Sequence, residues 1–290
     1  MSRLLHRNIT VADLEASENF YRHALGFRVV DTEAIPTAPL DLFDQRDIEA
    51  QRIYMQNPQG IVLSLTAYAE PASFGSREKR GFEHFGYTHL AFYVDDMQTA
   101  AASLASAGGR IFPQTHARYE AAGVEMLYGT DPDGVRIELM TGPAIPAAFS
   151  HSGICLDSIA VALPFFEGLG FRAEESFDFS EPTPWTAKIT ETPGLRQRVQ
   201  MIRNQAGDTL ELLELIHPRP KSGGQTPQPN AYGFGGITIA VADPDATAAT
   251  LTPLGGAFTR LTKPEMEDCS AWLGTSPWDT RIELVSLRFA

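Results

Sequence analysis

The chain has few cysteines, no basic cluster and no long apolar run. Cys155 and Cys269 are the only cysteines among 290 residues. They lack the spacing of a zinc site or a disulfide framework, so we interpret both as ordinary thiols. The net charge is −13, and no run of Lys and Arg could hold a phosphate backbone. Nucleic acids and anionic membranes are therefore not expected partners.

The sequence also lacks a candidate membrane segment. No stretch approaches the roughly 18 apolar residues of a membrane span, and the N-terminal MSRLLHRNITVADLE lacks the apolar core of a signal peptide. A hydrophobic content of 43% and a charged content of 20% are typical of globular proteins. We therefore expect a cytoplasmic protein with a small-molecule substrate, and we leave a homodimer open.

Internal repeats organise the chain at two levels. The segment HRNITVADLEASENFYRHALGF from His6 is echoed by HSGICLDSIAVALPFFEGLGF from His151. The segment GYTHLAFYVDDMQTAAASLASAGGRIF is echoed by FGGITIAVADPDATAATLTPLGGAF. The sequence therefore predicts four modules in two domains, with modules 1 and 2 in residues 1–145 and modules 3 and 4 in residues 146–290. The boundary falls in the Pro- and Ala-rich residues 142–150.

Each module begins with a strand pattern followed by a helix pattern. In module 1, Asp13 is the expected N-cap of the helix and Gly26 its left-handed C-terminal residue. In module 2, the helix is expected to begin at Asp95 or Asp96 and to end at the Gly108-Gly109 pair. Further strand runs complete each module.

The alternation of apolar and polar residues indicates where the polar groups lie. In module 2, Leu90 and Phe92 share one face of a strand, and His89 lies on the other. In VRIELM, Ile137 and its apolar neighbours should pack on the helices, which places Glu138 on the opposite face. His6 and His151 follow the same parity. We therefore expect these polar groups to line a shared cavity wherever strands of two modules curl together.

These segments, together with YGTDPDGVRIELM, resemble the vicinal oxygen chelate superfamily, which includes glyoxalase I, extradiol dioxygenases, methylmalonyl-CoA epimerase and the bleomycin and fosfomycin resistance proteins. The resemblance covers nearly the whole chain. It implies an α+β fold of two glyoxalase-type domains built from four βαβββ modules, in which each pair of modules forms an eight-stranded half-open barrel. It also implies a metal ion on the concave face of a barrel.

The resemblance assigns two ligand positions to each module. In order along the chain, these positions hold His6, Ser64, His89, Glu138, His151, Glu211, Gly236 and Glu283. Ser64 and Gly236 depart from the family's ligand types. Which positions share a site depends on how the modules pair.

Two pairings remain open at this stage. If modules 1 and 2 pair, His6, His89 and Glu138 form a two-histidine, one-carboxylate triad that suits Fe(II) and an extradiol dioxygenase. If modules 2 and 3 pair, His89, Glu138, His151 and Glu211 form a complete set. That set suits a glyoxalase I-like lyase or isomerase that uses Zn(II), Ni(II) or Mn(II).

The expected function is metal-dependent chemistry on a small molecule that chelates through adjacent oxygens. An Fe(II) ring-cleaving dioxygenase is the leading interpretation, because Tyr128 precedes Glu138 as in the extradiol signature, although a histidine of that signature is missing. Tyr128 and Glu138 are then the catalytic candidates, and His116 and Tyr119 are candidate substrate contacts. The alternatives are the lyase or isomerase and a metal-free binding protein of the resistance type.

Overall fold

The protein consists of four modules of similar strand and helix content. A computed structural model describes residues 2–35, 48–121, 123–142, 147–222, 228–261 and 271–286. Cys269 lies outside these residues, as does part of the predicted boundary between the chain halves. The longest helix in the described part has 12 residues, so none of the described helices could cross a membrane. Whether residues 1–145 and 146–290 behave as separate domains stays a prediction.

The strands and helices follow the repeats along the chain. The first half contains β1 (Arg3–Thr10), α1 (Leu14–Leu25), β2 (Arg28–Ile35), β3 (Glu49–Gln56) and β4 (Val62–Glu70) in module 1, then β5 (Gly86–Val94), α2 (Met97–Ser106), β6 (Arg110–Ile111), β7 (Ala117–Tyr119), β8 (Val124–Thr130) and β9 (Arg136–Thr141) in module 2. The second half contains β10 (Ala147–Leu156), α3 (Ile159–Gly168), β11 (Phe171–Phe179), α4 (Pro184–Thr190), β12 (Arg196–Asn204) and β13 (Thr209–His217) in module 3, then β14 (Gly233–Val241), α5 (Pro244–Leu251), β15 (Ala257–Leu261), β16 (Ala271–Thr275) and β17 (Arg281–Ser286) in module 4.

Local sequence explains the helix ends. The Asp13 side chain accepts hydrogen bonds from the backbone N–H groups of Glu15 and Ala16, and Gly26 ends α1 with φ of 71°. Asp96 caps α2 by accepting from the Thr99 N–H. The caps predicted for α1, and that predicted at the start of α2, are confirmed.

Each sheet is shared between the two halves of the chain. Modules 1 and 4 form an eight-stranded sheet with the order β15-β16-β17-β14-β1-β4-β3-β2, which we name the 1–4 sheet. Modules 2 and 3 form a nine-stranded sheet with the order β11-β12-β13-β10-β5-β9-β8-β6 and β7 beside β8, which we name the 2–3 sheet. The expected α+β fold of paired modules is confirmed. Modules 2 and 3 pair with each other, as the second alternative from the sequence predicts.

The alternative in which modules 1 and 2 pair in one sheet, which the dioxygenase triad requires, is therefore wrong. Antiparallel pairing of β5 with β10 and of β1 with β14 joins the chain halves edge to edge. Modules 1 and 2 instead meet through their helix-covered faces. Ile9 and Val11 of module 1 lie in one buried cluster with Leu90 and Phe92 of module 2. Their apolar parity directs them into this core and directs the polar residues away from it.

Candidate metal centre

Four polar side chains from four strands meet on the concave face of the 2–3 sheet. They are His89 on β5, Glu138 on β9, His151 on β10 and Glu211 on β13. In the strand register, His151 and Glu138 both stand beside Ala91, while Glu211 and His89 both stand beside Gly153. Neighbouring strands lie about 4.8 Å apart. The register therefore brings all four side chains to one place.

The four functional groups lie within a few ångströms of one another. His89 Nε2 is 3.2 Å from His151 Nε2, 3.2 Å from Glu138 Oε2 and 3.4 Å from Glu211 Oε2. His151 Nε2 is 3.5 Å from Glu138 Oε2 and 3.6 Å from Glu211 Oε2. The side chains of His89 and Glu138 are 2% and 3% exposed, whereas that of Glu211 is 15% exposed.

A hydroxyl group supports the outer nitrogen of each histidine. Thr88 Oγ1 lies 2.9 Å from His89 Nδ1, and Ser150 Oγ lies 3.0 Å from His151 Nδ1. A proton on Nδ1 can be donated to the hydroxyl, which leaves the lone pair of Nε2 directed into the site. Both rings are thus oriented as metal ligands require.

Gly153 provides the space that the His89 ring occupies. A Cβ atom at this position would overlap the His89 ring atoms Cε1 and Nδ1 and would crowd the hydroxyl of Thr88. Gly153 stands directly opposite His89 in the pairing of β10 with β5. A residue without a side chain is therefore needed here for the imidazole to adopt its position.

Tyr128 fixes the second oxygen of Glu138. Its hydroxyl donates a hydrogen bond of 2.9 Å to Glu138 Oε1. Burial and the negative charge of Glu138 raise the pKa of Tyr128 well above its ordinary value, so the phenol stays protonated and keeps donating. Tyr128, expected to contact a substrate oxygen, thus has the carboxylate of Glu138 as its hydrogen-bond partner.

The carboxylates and the histidines of the site stabilise one another's charged forms. Burial raises the pKa of Glu138, but the adjacent His89 and His151 outweigh that effect and hold this pKa well below its ordinary value. Burial lowers the pKa of His151, but Glu211 and Glu138 outweigh it and raise this pKa to about 10. The two ionised carboxylates therefore favour a positive charge beside them, which a protonated histidine or a bound cation can supply.

The donor set fits a divalent cation. Ligand atoms of His89, Glu138 and His151 all lie within 4.8 Å of one another, and Glu211 approaches both histidines from the remaining strand. Imidazole nitrogen and carboxylate oxygen together suit ions such as Zn(II), Ni(II), Mn(II) and Fe(II). The structure thus assembles the four residues of the cross-half set.

His6 is absent from this constellation. It lies on β1 in the 1–4 sheet, where its Nδ1 is 2.7 Å from Asn8 Oδ1 and its ring makes an edge contact with Tyr54. The triad of His6, His89 and Glu138 is therefore not assembled, because its members belong to different sheets. Ser64 and Glu283 accompany His6 in the 1–4 sheet, as does Gly236.

A cavity of about 450 Å³ opens over the four side chains. Tyr119 and Tyr128 belong to its wall. His116 does not belong to the wall and is exposed, with its Nε2 3.6 Å from Glu125 Oε2. The wall consists of Phe82, His89, Tyr93, Tyr119, Val124, Met126, Tyr128, Glu138, Met140, Ser150, His151, Glu175, Phe177, Phe179, Trp185, Ile189, Thr190, Gln197, Val199, Met201, Glu211 and Leu213.

The paired modules and the polar cluster on one concave face define a class of protein, built from paired βαβββ modules with a candidate metal centre between them. Residues 3–139 match the family model described as the Glyoxalase/Bleomycin resistance protein/Dioxygenase superfamily. The resemblance stated from the sequence is confirmed, by this match over residues 3–139 and by a shared fold over nearly the whole chain.

Lactoylglutathione lyases and glyoxalase I are among the known proteins to which the chain is similar. A lactoylglutathione lyase of Schizosaccharomyces pombe is 25% identical over 195 residues, which are 61% of this chain and 62% of that protein. A lactoylglutathione lyase of Neisseria meningitidis is 28% identical over 142 residues, which are 48% of this chain and 89% of that protein. Glyoxalase I from Zea mays shares the fold, with a TM-score of 0.72 and 17% identity over 99% of this chain and 92% of that chain.

Proposed function

We propose that this protein is a metal-dependent lyase or isomerase of the glyoxalase I type, which acts on a small molecule that chelates the metal through adjacent oxygens. The observation that carries the proposal is the convergence of His89, Glu138, His151 and Glu211 from modules 2 and 3. Lactoylglutathione lyases among the relatives support the same branch of the superfamily.

The site favours this chemistry over ring cleavage. The extradiol interpretation relied on His6, which lies in the other sheet, and on a free Tyr128 hydroxyl, which is bonded to Glu138. It also relied on three protein ligands, whereas four candidate ligands meet here. An Fe(II) dioxygenase is therefore the weaker proposal.

The two carboxylates are suited to different tasks. A divalent ion held by the four side chains would polarise the oxygens of the substrate and acidify the neighbouring C–H bond. Glu138 is fixed by Tyr128 and both histidines, which suits a permanent ligand. Glu211 is the more exposed carboxylate and lines the cavity, so it is the group placed to take the proton and return it to the adjacent carbon.

The test is an activity assay with matched variants. Protein reconstituted with Zn(II), Ni(II), Mn(II) or Fe(II) is assayed for conversion of the hemithioacetal of methylglyoxal to a thioester, and for oxygen uptake with a panel of catechols. We expect thioester formation with at least one metal, and its loss in Glu211→Gln but not in Glu283→Gln. Oxygen uptake without thioester formation would overturn the proposal. Retention of full activity without metal, or in Glu211→Gln, would also overturn it.

A further inference from the structure

An aromatic corner closes the cavity away from the metal ligands. It consists of Tyr119 on β7, Phe179 on β11 and Trp185 on α4. The ring centroid of Trp185 is 4.9 Å from that of Tyr119 and 5.3 Å from that of Phe179, and the Tyr119 and Phe179 centroids are 5.8 Å apart. Three rings from three elements thus form one apolar recess in the cavity wall.

The N–H group of Trp185 lies beneath the surface of this recess. The indole nitrogen Nε1 of Trp185 is buried and has no hydrogen-bond partner among the described residues. Indole can only donate a hydrogen bond, and a buried donor without a partner is unfavourable. Because this nitrogen has almost no accessible surface, Trp185 meets the cavity with the carbon atoms of its ring.

Among the residues that the structure describes, none in the wall of the cavity carries a fixed positive charge. Apart from the four residues of the metal centre, the one charged residue in the described part of the wall is Glu175, which is exposed on β11. Arg136 lies behind the wall, with its guanidinium 4.1 Å from the ring centroid of Phe82 and 5.2 Å from that of Tyr128.

Two cations outside the wall are held in ion pairs. Arg118 pairs with Glu120 and Glu125, and Lys79 pairs with Glu191. Recognition of a carboxylate in a protein site commonly uses an Arg or Lys side chain. The described wall therefore offers an anionic group no such partner and presents Glu175 instead.

We propose that the aromatic corner of Tyr119, Phe179 and Trp185 receives an uncharged aromatic part of the substrate, and that Glu175 disfavours anionic carriers such as glutathione. This inference rests on the proposed function. It differs from what the lactoylglutathione lyases among the relatives suggest, because glutathione carries two carboxylates and is an anion at neutral pH.

The first experiment compares two hemithioacetals of methylglyoxal, one formed with glutathione and one with the uncharged 2-phenylethanethiol. Wild-type protein should show a kcat/KM about tenfold higher or more for the uncharged adduct, as expected when a like charge faces an anionic ligand. Glu175→Lys should reduce this preference at least about threefold. Glu174→Lys is the matched control, because it makes the same charge change at the neighbouring position, which is outside the cavity wall; it should leave the preference unchanged.

The second experiment separates this inference from the proposed function, because it requires no turnover. Binding of S-benzylglutathione and of the uncharged S-benzyl-N-acetylcysteamine is measured by calorimetry on wild type, Glu175→Lys and Trp185→Leu. The uncharged probe should bind more tightly to the wild type, and Trp185→Leu, which keeps an apolar side chain but removes the aromatic ring, should weaken it. Equal or tighter binding of the glutathione probe would overturn the inference, as would an unchanged affinity in Trp185→Leu. These outcomes hold even if neither hemithioacetal is converted.

Discussion

The concave faces of the 2–3 and 1–4 sheets carry a glutamate at the same place in the repeat. In the 2–3 sheet, Glu138 lies opposite Tyr128 in the strand register and contacts two histidines. In the 1–4 sheet, Glu283 lies opposite Leu273 and accepts a hydrogen bond of 2.6 Å from Thr238 Oγ1. One carboxylate therefore belongs to a cluster of titratable ligands, and the other to a network of hydroxyl and amide groups.

A fixed cation accounts for much of this difference. Burial raises the pKa of Glu283, but Arg281, Arg52 and His6 lower it below its ordinary value. Arg52 stands opposite Thr66 in β3 and β4, the register position that Val199 holds opposite Leu213 in the 2–3 sheet. An arginine is always charged and cannot be replaced by a proton or removed by chelation. The 1–4 face thus carries its own positive charge, whereas the 2–3 face must obtain one.

The turns before the two glutamates differ in the same manner. Asp131 Oδ1 accepts from the backbone N–H groups of Asp133 and Val135. In the corresponding turn of module 4, Ser276 Oγ accepts from the N–H groups of Trp278 and Thr280. The same turn is therefore closed by a buried carboxyl in one module and by a neutral hydroxyl in the other.

The largest expected effect on activity distinguishes His151, at the start of module 3, from His6, at the start of module 1. His151→Ala should reduce activity at least about 100-fold, because it removes a metal ligand. His6→Ala is the matched control and should change kcat/KM less than about twofold, since its surroundings belong to the 1–4 sheet. Steady-state kinetics with saturating metal measure both. Comparable losses in the two variants would break the contrast between the faces.

A glycine pair provides the next comparison. Gly153→Ala should weaken metal binding about tenfold or more, because the added Cβ would displace the His89 ring. Gly236→Ala is the control on the 1–4 face, where a Cβ would lie 3.0 Å from the flexible side chain of Arg281. Its metal affinity should match the wild type in a titration against a competing chelator. Equal affinities of the two variants would show that the ring position does not depend on Gly153.

Removal of the hydrogen-bond donor to each glutamate should affect function differently on the two faces. Tyr128→Phe should lower metal affinity or kcat about tenfold, because Glu138 loses the donor that orients it. Thr238→Val removes the corresponding donor to Glu283 and should leave both quantities unchanged. Metal titration and kinetics measure the effects. A larger loss in Thr238→Val would place the functional carboxylate on the 1–4 face.

The smallest effect concerns pH. Burial and Asp133 raise the pKa of Asp131 to about 7 from an ordinary value of 3.8. Because the folded-state pKa is raised, the stability that this group contributes is complete below about pH 3.8 and is lost as the pH rises through about 7. Asp131→Asn should flatten the free energy of unfolding over this range, and parallel denaturation curves at each pH would contradict this assignment.

The residues of the candidate site can be predicted from local sequence, but the pairing of strands that brings them together cannot. Strand parity places His89 and Glu138 on one face, and the helix caps follow from single residues, because both are local effects. The partner of β5 could not be predicted, because β1 and β10 repeat the same pattern and the choice depends on packing between distant segments. Local pattern therefore left both His6 and His151 as candidates.

One local signal could have separated those candidates. A hydroxyl residue directly precedes each clustered histidine, as Thr88 before His89 and Ser150 before His151, whereas Leu5 precedes His6. The two hydroxyls support the imidazoles from outside, which a leucine side chain cannot do. Trp185 gave no such signal, because its role depends on contacts with Tyr119 and Phe179, which lie on elements remote from α4.

The most direct test of the contrast between the two faces is the metal content of the intact protein after saturation with Zn(II) and removal of excess ion. The account predicts one tightly bound ion per chain, lost in His89→Ala and retained in Glu283→Gln. Two tightly bound ions, no bound ion, or loss of the ion in Glu283→Gln with retention in His89→Ala would contradict it.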